Sequence, residues 1–185
     1  MDREIRSFAG LELRFAGGKP RLTGYAAVFN KDSMDFGGFV ERITPGAFKT
    51  SLKNSDIRAF DSHDQSKIVG RESNGTLTLR EDENGLRVEI TPPDTQVGRD
   101  LVENVRSGLL DGMSIGFTVQ PEDVQWDVKS KPAVRLLRNM NLVEVSVVAL
   151  PAFPDTSVAL RSMPRGPLAA DLKALHEAKV AGWKK

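Results

Sequence analysis

Alternating apolar and polar positions predict that most of the chain forms short β-strands. Arg21–Phe29 is rich in apolar and aromatic residues, which is typical of a strand. Gly75–Glu81 and Gly85–Thr91 each alternate, and the Asn84-Gly85 turn between them predicts a β-hairpin. The other predicted strands are an extended piece after the glycine-rich loop Phe36–Val40, Asp56–Phe60, Met113–Val119, Val134–Leu137 and Leu142–Leu150.

Two helices are predicted between these strands. Thr44-Pro45 combines an N-cap hydroxyl with a proline suited to the first helical position, so a short helix is expected from there to about Lys53. Thr95 is expected to cap a second helix that runs to about Ser107. Its apolar side chains fall on one face at helical spacing, and Gly108 ends it.

The excess of strands over helices decides the predicted fold class. We expect an α+β fold, mainly an antiparallel β-barrel of about seven strands with a few inserted helices. Residues 1–163 are expected to form this domain. The Pro164–Pro167 stretch is expected to be a linker that opens a C-terminal tail of residues 164–185, in which Leu168–Val180 is predicted to be an amphipathic helix.

Composition narrows the classes of function. The net charge of +1 gives no electrostatic reason to expect nucleic acid or an anionic membrane as a partner. The chain has no cysteine, which excludes disulfides, thiolate catalysis and Cys-ligated zinc. No apolar run approaches the roughly 20 residues of a membrane span, and the charged N-terminus has no apolar leader behind it. We therefore expect the protein to stay in the compartment where it is made.

Only two histidines are available for acid–base chemistry. His63 follows the predicted strand Asp56–Phe60, and catalytic groups often lie at strand ends and in the loops after them. The competing interpretation of His63 is a surface residue in a polar loop. His176 lies in the predicted tail helix beside Glu177, where a solvated side chain is the expectation.

Ser114 is the candidate nucleophile in the pattern Gly112-Met113-Ser114-Ile115-Gly116. Glycines on both sides permit close backbone approach, and N–H groups near such a serine can point at an oxyanion. The nucleophile elbow of α/β-hydrolases shares the pattern but needs a strand before the serine and a helix after it. Here the predicted order is the reverse, so that class is rejected. From the residues alone, a purely structural Gly-Ser-Gly strand remains as well supported as a nucleophile.

Glu144 is a carboxylate within the apolar segment Leu142–Val148. Burying an unpaired carboxylate is costly, so Glu144 either points to solvent or has a partner, and an imidazole is one that suits it. Alternation places Glu144 and Ser146 on one face of the strand, opposite Val143, Val145 and Val147. Two competing acids, Asp61 and Asp64, are sequence neighbours of His63, and such neighbours in an extended segment often point apart.

Four stretches, in this order along the chain, resemble the HK97-type phage prohead proteases, a group related to the herpesvirus assemblin proteases. Each stretch is only moderately specific, but the ordered set is highly specific and extends over about residues 20–160. The stretches are Gly24–Asn30 followed by Phe39–Phe48, the strand into His63-Asp64, Leu109–Phe117, and Leu142–Ala152.

The resemblance implies the chemistry of a serine endopeptidase, with Ser114 as nucleophile and His63 as general base. Herpesvirus relatives use a second histidine as third member. This chain has none near the fourth stretch, so Glu144 is expected to take that place. By analogy with the same relatives, Arg138 is expected to assist at the oxyanion. No metal and no cofactor are implied.

The resemblance also implies substrates and a location. The implied substrates are the N-terminal region of the major capsid protein, any scaffold and the protease itself. The implied location is the immature capsid, or prohead, in the host cytoplasm, and self-association into a homo-oligomer is expected. The alternative is a non-catalytic β-barrel that serves as a scaffold or capsid-assembly module.

Overall fold

The computed structural model describes residues 2–149 and Ala174, which is helical and exposed. Twelve strands and two α-helices lie within residues 2–149. In chain order they are β1 (Glu4–Ala9), β2 (Glu12–Ala16), β3 (Lys19–Val28), β4 (Phe39–Ile43), α1 (Lys49–Asn54), β5 (Arg58–Asp61), β6 (Asp64–Arg71), β7 (Leu77–Glu81), β8 (Gly85–Ile90), α2 (Gln96–Arg106), β9 (Gly112–Thr118), β10 (Val124–Asp127), β11 (Ala133–Leu137) and β12 (Asn141–Val148).

The strands form three sheets, so the predicted closed barrel is wrong for the described residues. The central sheet has the order β1-β9-β12-β5-β6, and the other two have the orders β10-β11-β4 and β2-β3-β8-β7. Each sheet keeps two edge strands, and β12–β5 and β11–β4 pair in parallel. Alternation in the sequence locates strands but does not specify their neighbours, so the parallel pairings and the open edges could not be deduced from it.

The predicted strands are present, whereas four further strands were missed. The β7–β8 hairpin is confirmed, with Leu79 opposite Val88. The missed strands are β1, β2, β6 and β10. Of these, β1 buries charged Glu4 and Arg6, while β2, β6 and β10 hold mostly partly buried or exposed side chains. None of the four therefore shows the apolar alternation on which a sequence-based prediction depends.

The second helix begins where its cap predicts, but the first does not. The Thr95 side chain accepts a hydrogen bond from the N–H of Gly98 at 3.2 Å, which confirms the N-cap of α2. The Thr44 hydroxyl instead donates to the carbonyl of Leu137 at 3.2 Å, and α1 begins only at Lys49. The Thr44 hydroxyl is therefore used in a tertiary hydrogen bond and does not cap the helix.

The main hydrophobic core lies under the central sheet and is lined by one face of β9. Met113, Ile115 and Phe117 are fully buried in it. Since side chains alternate along a strand, Gly112, Ser114 and Gly116 point to the opposite face. The buried core side chains of β9 therefore fix its register and hold Ser114 on the other surface of the sheet.

A buried cluster of two arginines and two glutamates attaches β1 to the rest of the fold. Arg6 pairs with Glu4 and Glu41, and Arg135 pairs with the same two carboxylates. Burial alone would raise the pKa of the Glu41 carboxyl, but Arg6 and Arg135 outweigh it and hold that pKa below its usual range. The two positive and two negative charges balance, which is the condition for keeping such groups inside a protein.

The predicted tail helix and His176 lie outside the described residues, apart from Ala174. Within the described part of the chain, none of the helices has the length and apolar character needed to span a bilayer.

Candidate active site

Ser114 lies in a row of three serines that crosses the central sheet. In the strand register, Ser114 of β9 stands between Ser7 of β1 and Ser146 of β12. Residues paired in this way have Cβ atoms about 5 Å apart on one face of the sheet. Both Ser114 and Ser146 are fully buried. The row places the predicted nucleophile next to two other hydroxyl groups.

His63 is held over this row by a strained two-residue turn. Ser62 and His63 connect β5 to β6, and both have positive φ angles, 54° and 62°. A left-handed conformation costs roughly 1 kcal/mol or more for each residue with a side chain, so other contacts must hold it. The N–H of Ser62 donates to the carbonyl of Val147 at 2.9 Å, and the N–H of His63 donates to Ser146 Oγ at 3.2 Å. Both contacts dock the turn on β12.

Glu144 joins the imidazole to the same strand. Its Oε1 lies 2.6 Å from His63 Nδ1, and its Oε2 accepts a hydrogen bond from Ser146 Oγ at 2.7 Å. The guanidinium of Arg3 also pairs with Oε1. Both carboxylate oxygens therefore have partners, which explains how a charged group is tolerated at 1% exposure in an apolar strand.

A bulge in β12 corrects the predicted alternation at one residue. The register shifts between Leu142 and Glu144, and Val143 is 42% exposed, although it was predicted to share a face with Val145 and Val147. Val145 and Val147 are fully buried. A bulge adds one residue to a strand and turns the side chains before it relative to those after it. Glu144 and Ser146 nevertheless share a face, as predicted.

The two competing acids make other contacts. Asp61 accepts a hydrogen bond from Ser62 Oγ at 2.7 Å. Asp64 accepts from the N–H and the hydroxyl of Ser66, and these bonds lower the pKa of the Asp64 carboxyl. Within residues 2–149, neither carboxylate forms a hydrogen bond to the imidazole. The structure thus brings Glu144, and not its competitors, to His63.

The hydrogen-bond network assigns the protonation of the His63 ring. An ionised Glu144 can only accept, so we assign the proton at the 2.6 Å contact to Nδ1, and in a neutral ring Nε2 then presents its lone pair. Nε2 is buried and lacks a hydrogen-bond partner among the described residues. A buried, unpartnered acceptor is costly unless a donor reaches it, so this atom is suited to receive a proton.

Ser114 is not hydrogen-bonded to His63 in this structure. Its Oγ donates to the carbonyl of Arg6 at 3.0 Å and accepts from Ser7 Oγ at 3.0 Å. Both of these hydrogen-bond partners of the Ser114 hydroxyl belong to β1. The structure brings His63 and Glu144 together and places Ser114 on the same face of the sheet, but its hydroxyl is directed elsewhere.

Gly116 is required because the side chains of neighbouring residues approach it closely, and not because its backbone has an unusual φ angle. A methyl group at this position would collide with Nε of Arg3, and it would stand 2.5 Å from Glu144 Oε1 and 2.7 Å from Nη2 of Arg3. A side chain here would therefore displace the Arg3 guanidinium together with the carboxylate that contacts His63. The second glycine of the Gly-x-Ser-x-Gly pattern makes room for the acid, which the pattern alone does not reveal.

Sequence reasoning missed Arg3 and Ser7 as neighbours of the site, and it placed Ser146 on the same face as Glu144 without predicting its contacts. Arg3 and Ser7 lie on or beside β1, which was not predicted as a strand. A usable signal existed for Ser146, since it is a polar residue two positions after Glu144 in an apolar strand. Arg138, the expected oxyanion helper, is exposed and donates to Gln125 Oε1 at 3.1 Å. No group of three or more His, Asp or Glu side chains in the described part is arranged to hold a metal ion.

Comparison with known proteins places the chain in a family. The chain is 34% identical over 161 residues to the prohead protease of Enterobacteria phage HK97, an alignment covering 83% of this chain and 66% of that protein's length. Its fold is similar to that of the bacteriophage T4 capsid assembly protease, with a TM-score of 0.56 over 80% of this chain and 98% of the other, at 11% identity. Residues 11–167 match the sequence profile described as caudovirus prohead serine protease. Since this match spans most of the 185 residues, the chain belongs to the caudovirus prohead serine protease family.

Proposed function

We propose that the protein is a serine endopeptidase that cleaves capsid proteins during maturation of an immature viral capsid. One observation carries the proposal: Glu144 contacts His63 Nδ1 at 2.6 Å and leaves Nε2 as a buried, unpartnered acceptor. The row of serines that contains Ser114 lies on the same face of the sheet. A base held by a carboxylate next to a hydroxyl is the arrangement that activates a serine nucleophile.

The proposed reaction uses only these side chains and water. His63 Nε2 takes the hydroxyl proton while Ser114 Oγ bonds to the carbonyl carbon of the scissile peptide. The tetrahedral intermediate collapses as the C–N bond breaks, and the imidazolium returns the proton to the leaving amine. Water then attacks the acyl carbon while His63 Nε2 takes one of its protons. The imidazolium returns that proton to Ser114 Oγ as the ester C–O bond breaks. Glu144 holds the ring in the tautomer that leaves Nε2 free and stabilises the imidazolium.

The substrates and the location belong to the same proposal. The names of the two similar proteins refer to proheads and capsid assembly, which supports capsid proteins as the class of substrate. We extend this to the N-terminal region of the major capsid protein, to scaffold and to the protease itself. Cleavage would take place within the prohead in the host cytoplasm, with the enzyme in a self-associated form.

The proposal is tested by labelling the nucleophile directly. A fluorophosphonate reacts with the hydroxyl of an activated serine, so peptide mapping after labelling is expected to find the adduct on Ser114. The capsid precursor of the same virus is incubated with the protein in parallel, and defined fragments are expected. An unlabelled Ser114 together with an intact precursor would contradict the proposal. Effects on capsid assembly without cleavage would favour the non-catalytic scaffold.

Replacing Gly116 by alanine is expected to lower kcat/KM for cleavage by about 10²-fold. The new methyl group would collide with the carboxylate of Glu144 and push it away from His63, and a displacement of about 1 Å at a catalytic group can have this effect. The measurement is the rate of precursor cleavage, with thermal unfolding to verify that the variant is folded.

Gly112→Ala is the matched control at the other glycine of the pattern. A methyl group there would stand 3.3 Å from the carbonyl oxygen of Phe8 and 3.4 Å from a side-chain methyl of Val148, which is tight but not a collision. A smaller loss is therefore expected. Equal losses in the two variants would mean that the space for Glu144 is not what Gly116 provides.

A further inference from the structure

Ser146 connects the base and the acid of the candidate site through a single hydroxyl group. Its Oγ accepts a hydrogen bond from the backbone N–H of His63 at 3.2 Å and donates one to Oε2 of Glu144 at 2.7 Å. Ser146 is fully buried, and the reaction described above leaves it without a role. Both members of the acid–base pair thus depend on one buried side chain.

The register of the central sheet places Ser146 in the middle of the site. Ser146 of β12 is paired with Ser114 of β9 on one side and with Phe60 of β5 on the other. Strand β9 carries the proposed nucleophile, and β5 leads into the turn that holds His63. A residue on the middle strand of three can contact groups from both neighbouring strands, so Ser146 is positioned to link them.

The direction of each hydrogen bond follows from the chemistry of the three groups. A hydroxyl has one proton to donate and lone pairs with which to accept. The backbone N–H of His63 can only donate, so it uses a lone pair of Ser146 Oγ. The hydroxyl proton is then available for the ionised carboxylate of Glu144, which can only accept. A hydroxyl meets both requirements at once, whereas the methyl group of an alanine meets neither.

The bond to Oε2 fixes the orientation of the Glu144 carboxylate. Oε1 faces His63 Nδ1 at 2.6 Å, and Ser146 Oγ holds Oε2 on the other side. The guanidinium of Arg3 competes with the imidazole, because it pairs with the same Oε1 and places its Nη2 3.3 Å from Nδ1. A donor at Oε2 limits rotation of the carboxylate toward Arg3, so Oε1 stays directed at Nδ1.

The bond to the backbone of His63 fixes the position of the ring. Ser62 and His63 have φ angles of 54° and 62°, which residues with side chains disfavour, so the turn keeps its shape only while its contacts hold. The N–H of Ser62 uses the carbonyl of Val147, and the N–H of His63 uses Ser146 Oγ. The second contact is made by a side chain, so a substitution can remove it without changing the backbone of β12.

Resting on the function proposed above, we propose that Ser146 is a positioning residue of the site, which holds His63 and Glu144 in a fixed arrangement. It does not touch the substrate, and no proton passes through it during the reaction. It acts by keeping Oε1 of Glu144 on Nδ1 of the ring, so that Nε2 remains the atom that accepts the proton of Ser114.

Replacing Ser146 by alanine is expected to lower kcat for precursor cleavage by about 10²-fold with little change in KM, because small displacements of catalytic groups have effects of this size. Ser51→Ala is the matched control. Ser51 is also buried, and its hydroxyl also bonds to the backbone of β12, at Leu142, but it lies outside the site. The control is expected to keep the unsubstituted kcat.

Two further substitutions at position 146 separate the loss of the hydroxyl from the loss of buried volume. Ser146→Cys keeps the space filled, but a thiol is a weak donor and a weak acceptor, so kcat is expected to fall. Ser146→Thr retains the hydroxyl and is expected to recover most of the lost activity. A cysteine variant more active than the threonine variant would contradict the proposal, and this comparison applies even where Ser146→Ala fails to fold.

Two NMR signals of His63 report its position without any catalysis. In Ser146→Ala the backbone amide of His63 loses its acceptor, so its hydrogen exchange is expected to become faster. The Nδ1 proton of the ring is expected to move upfield as the contact with Glu144 lengthens. Both signals are expected to stay unchanged in Ser51→Ala. His176→Asn in every chain leaves His63 as the source of the ring signals.

The double variant Ser146→Ala/Glu144→Gln shows whether Ser146 acts through the acid–base pair. Residues that act as a unit are not additive, so the double variant is expected to cleave no more slowly than Glu144→Gln alone. A further loss in the double variant as large as the loss in Ser146→Ala would mean that Ser146 acts independently of Glu144, and would contradict the positioning role.

The two proposals fail on different results. An unsubstituted chain that neither labels on Ser114 nor cleaves the precursor contradicts the serine peptidase, and the two signals of His63 still test the contacts of Ser146. The positioning role is overturned if Ser146→Ala cleaves at the unsubstituted rate, if Ser51→Ala loses as much activity, or if the signals of His63 are the same in the two variants.

Discussion

Replacing Ser114 by alanine is expected to lower kcat for cleavage of the capsid precursor by about 10⁶-fold. The alanine lacks the oxygen that forms the acyl-enzyme, so only water attack within the bound complex remains. The hydrogen bond of Ser114 to Arg6 is lost as well, but that bond holds β1 and takes no part in the chemistry. The measurement is kcat at saturating substrate, compared with kcat of the unsubstituted chain under the same conditions.

Two controls separate loss of a nucleophile from loss of a buried hydroxyl. Ser51 is also buried and hydrogen-bonds with its hydroxyl to the backbone of Leu142, so Ser51→Ala is expected to cost about 1 kcal/mol of stability and little activity. Groups that act as a unit are not additive, so His63→Ala/Ser114→Ala is expected to be no slower than Ser114→Ala alone. A Ser114→Ala enzyme that cleaves at the parent rate would exclude Ser114 as the nucleophile.

Replacing Glu144 by glutamine is expected to lower kcat by about 10⁴-fold with little change in KM. The carboxylate accepts the Nδ1 proton of His63, whereas an amide can present its NH₂ group to that nitrogen. The ring then takes the other tautomer, with the proton on Nε2 and no base available for Ser114. Loss of the contact with Arg3 accompanies the change but does not restore the base.

The tautomer of the His63 ring can be measured directly, and a general loss of stability would not change it. Nitrogen NMR of the His63 ring is expected to show the proton moving from Nδ1 to Nε2 in Glu144→Gln. With His176→Asn in both chains, the remaining ring signals belong to His63. Glu72 is another hydrogen-bonded carboxylate: it accepts the backbone N–H of Ile57 at 3.1 Å, and burial raises the pKa of its carboxyl. Glu72→Gln is therefore the matched control, and an unchanged His63 tautomer in Glu144→Gln would contradict the assigned role.

The sequence by itself determined β5, β9 and β12, which precede or carry His63, Ser114 and Glu144, and the residue types in them. Leu142–Val148 was apolar enough to predict a buried strand, and a lone carboxylate within it indicated that Glu144 either points to solvent or has a partner. The Asn84-Gly85 turn and the Thr95 cap were also sufficient to locate the β7–β8 hairpin and α2, because both depend on local backbone chemistry. The catalytic roles came from the ordered resemblance to a family and stay predictions.

Only the tertiary structure decided which strands are neighbours and what covers the nucleophile. Alternation fixes the face on which Ser114 lies, but the pairing of β9 with β1 and β12 joins residues more than 100 and about 30 positions apart, and no local signal encodes it. Strand β1 escaped prediction because its buried groups are charged, and charge at Glu4 and Arg6 indicates a surface unless the partners Glu41 and Arg135 are known. Long-range pairing of strands and of buried charges depends on the whole fold, and for that reason the open sheets and the pairing of β1 with β9 could be recognised only in three dimensions.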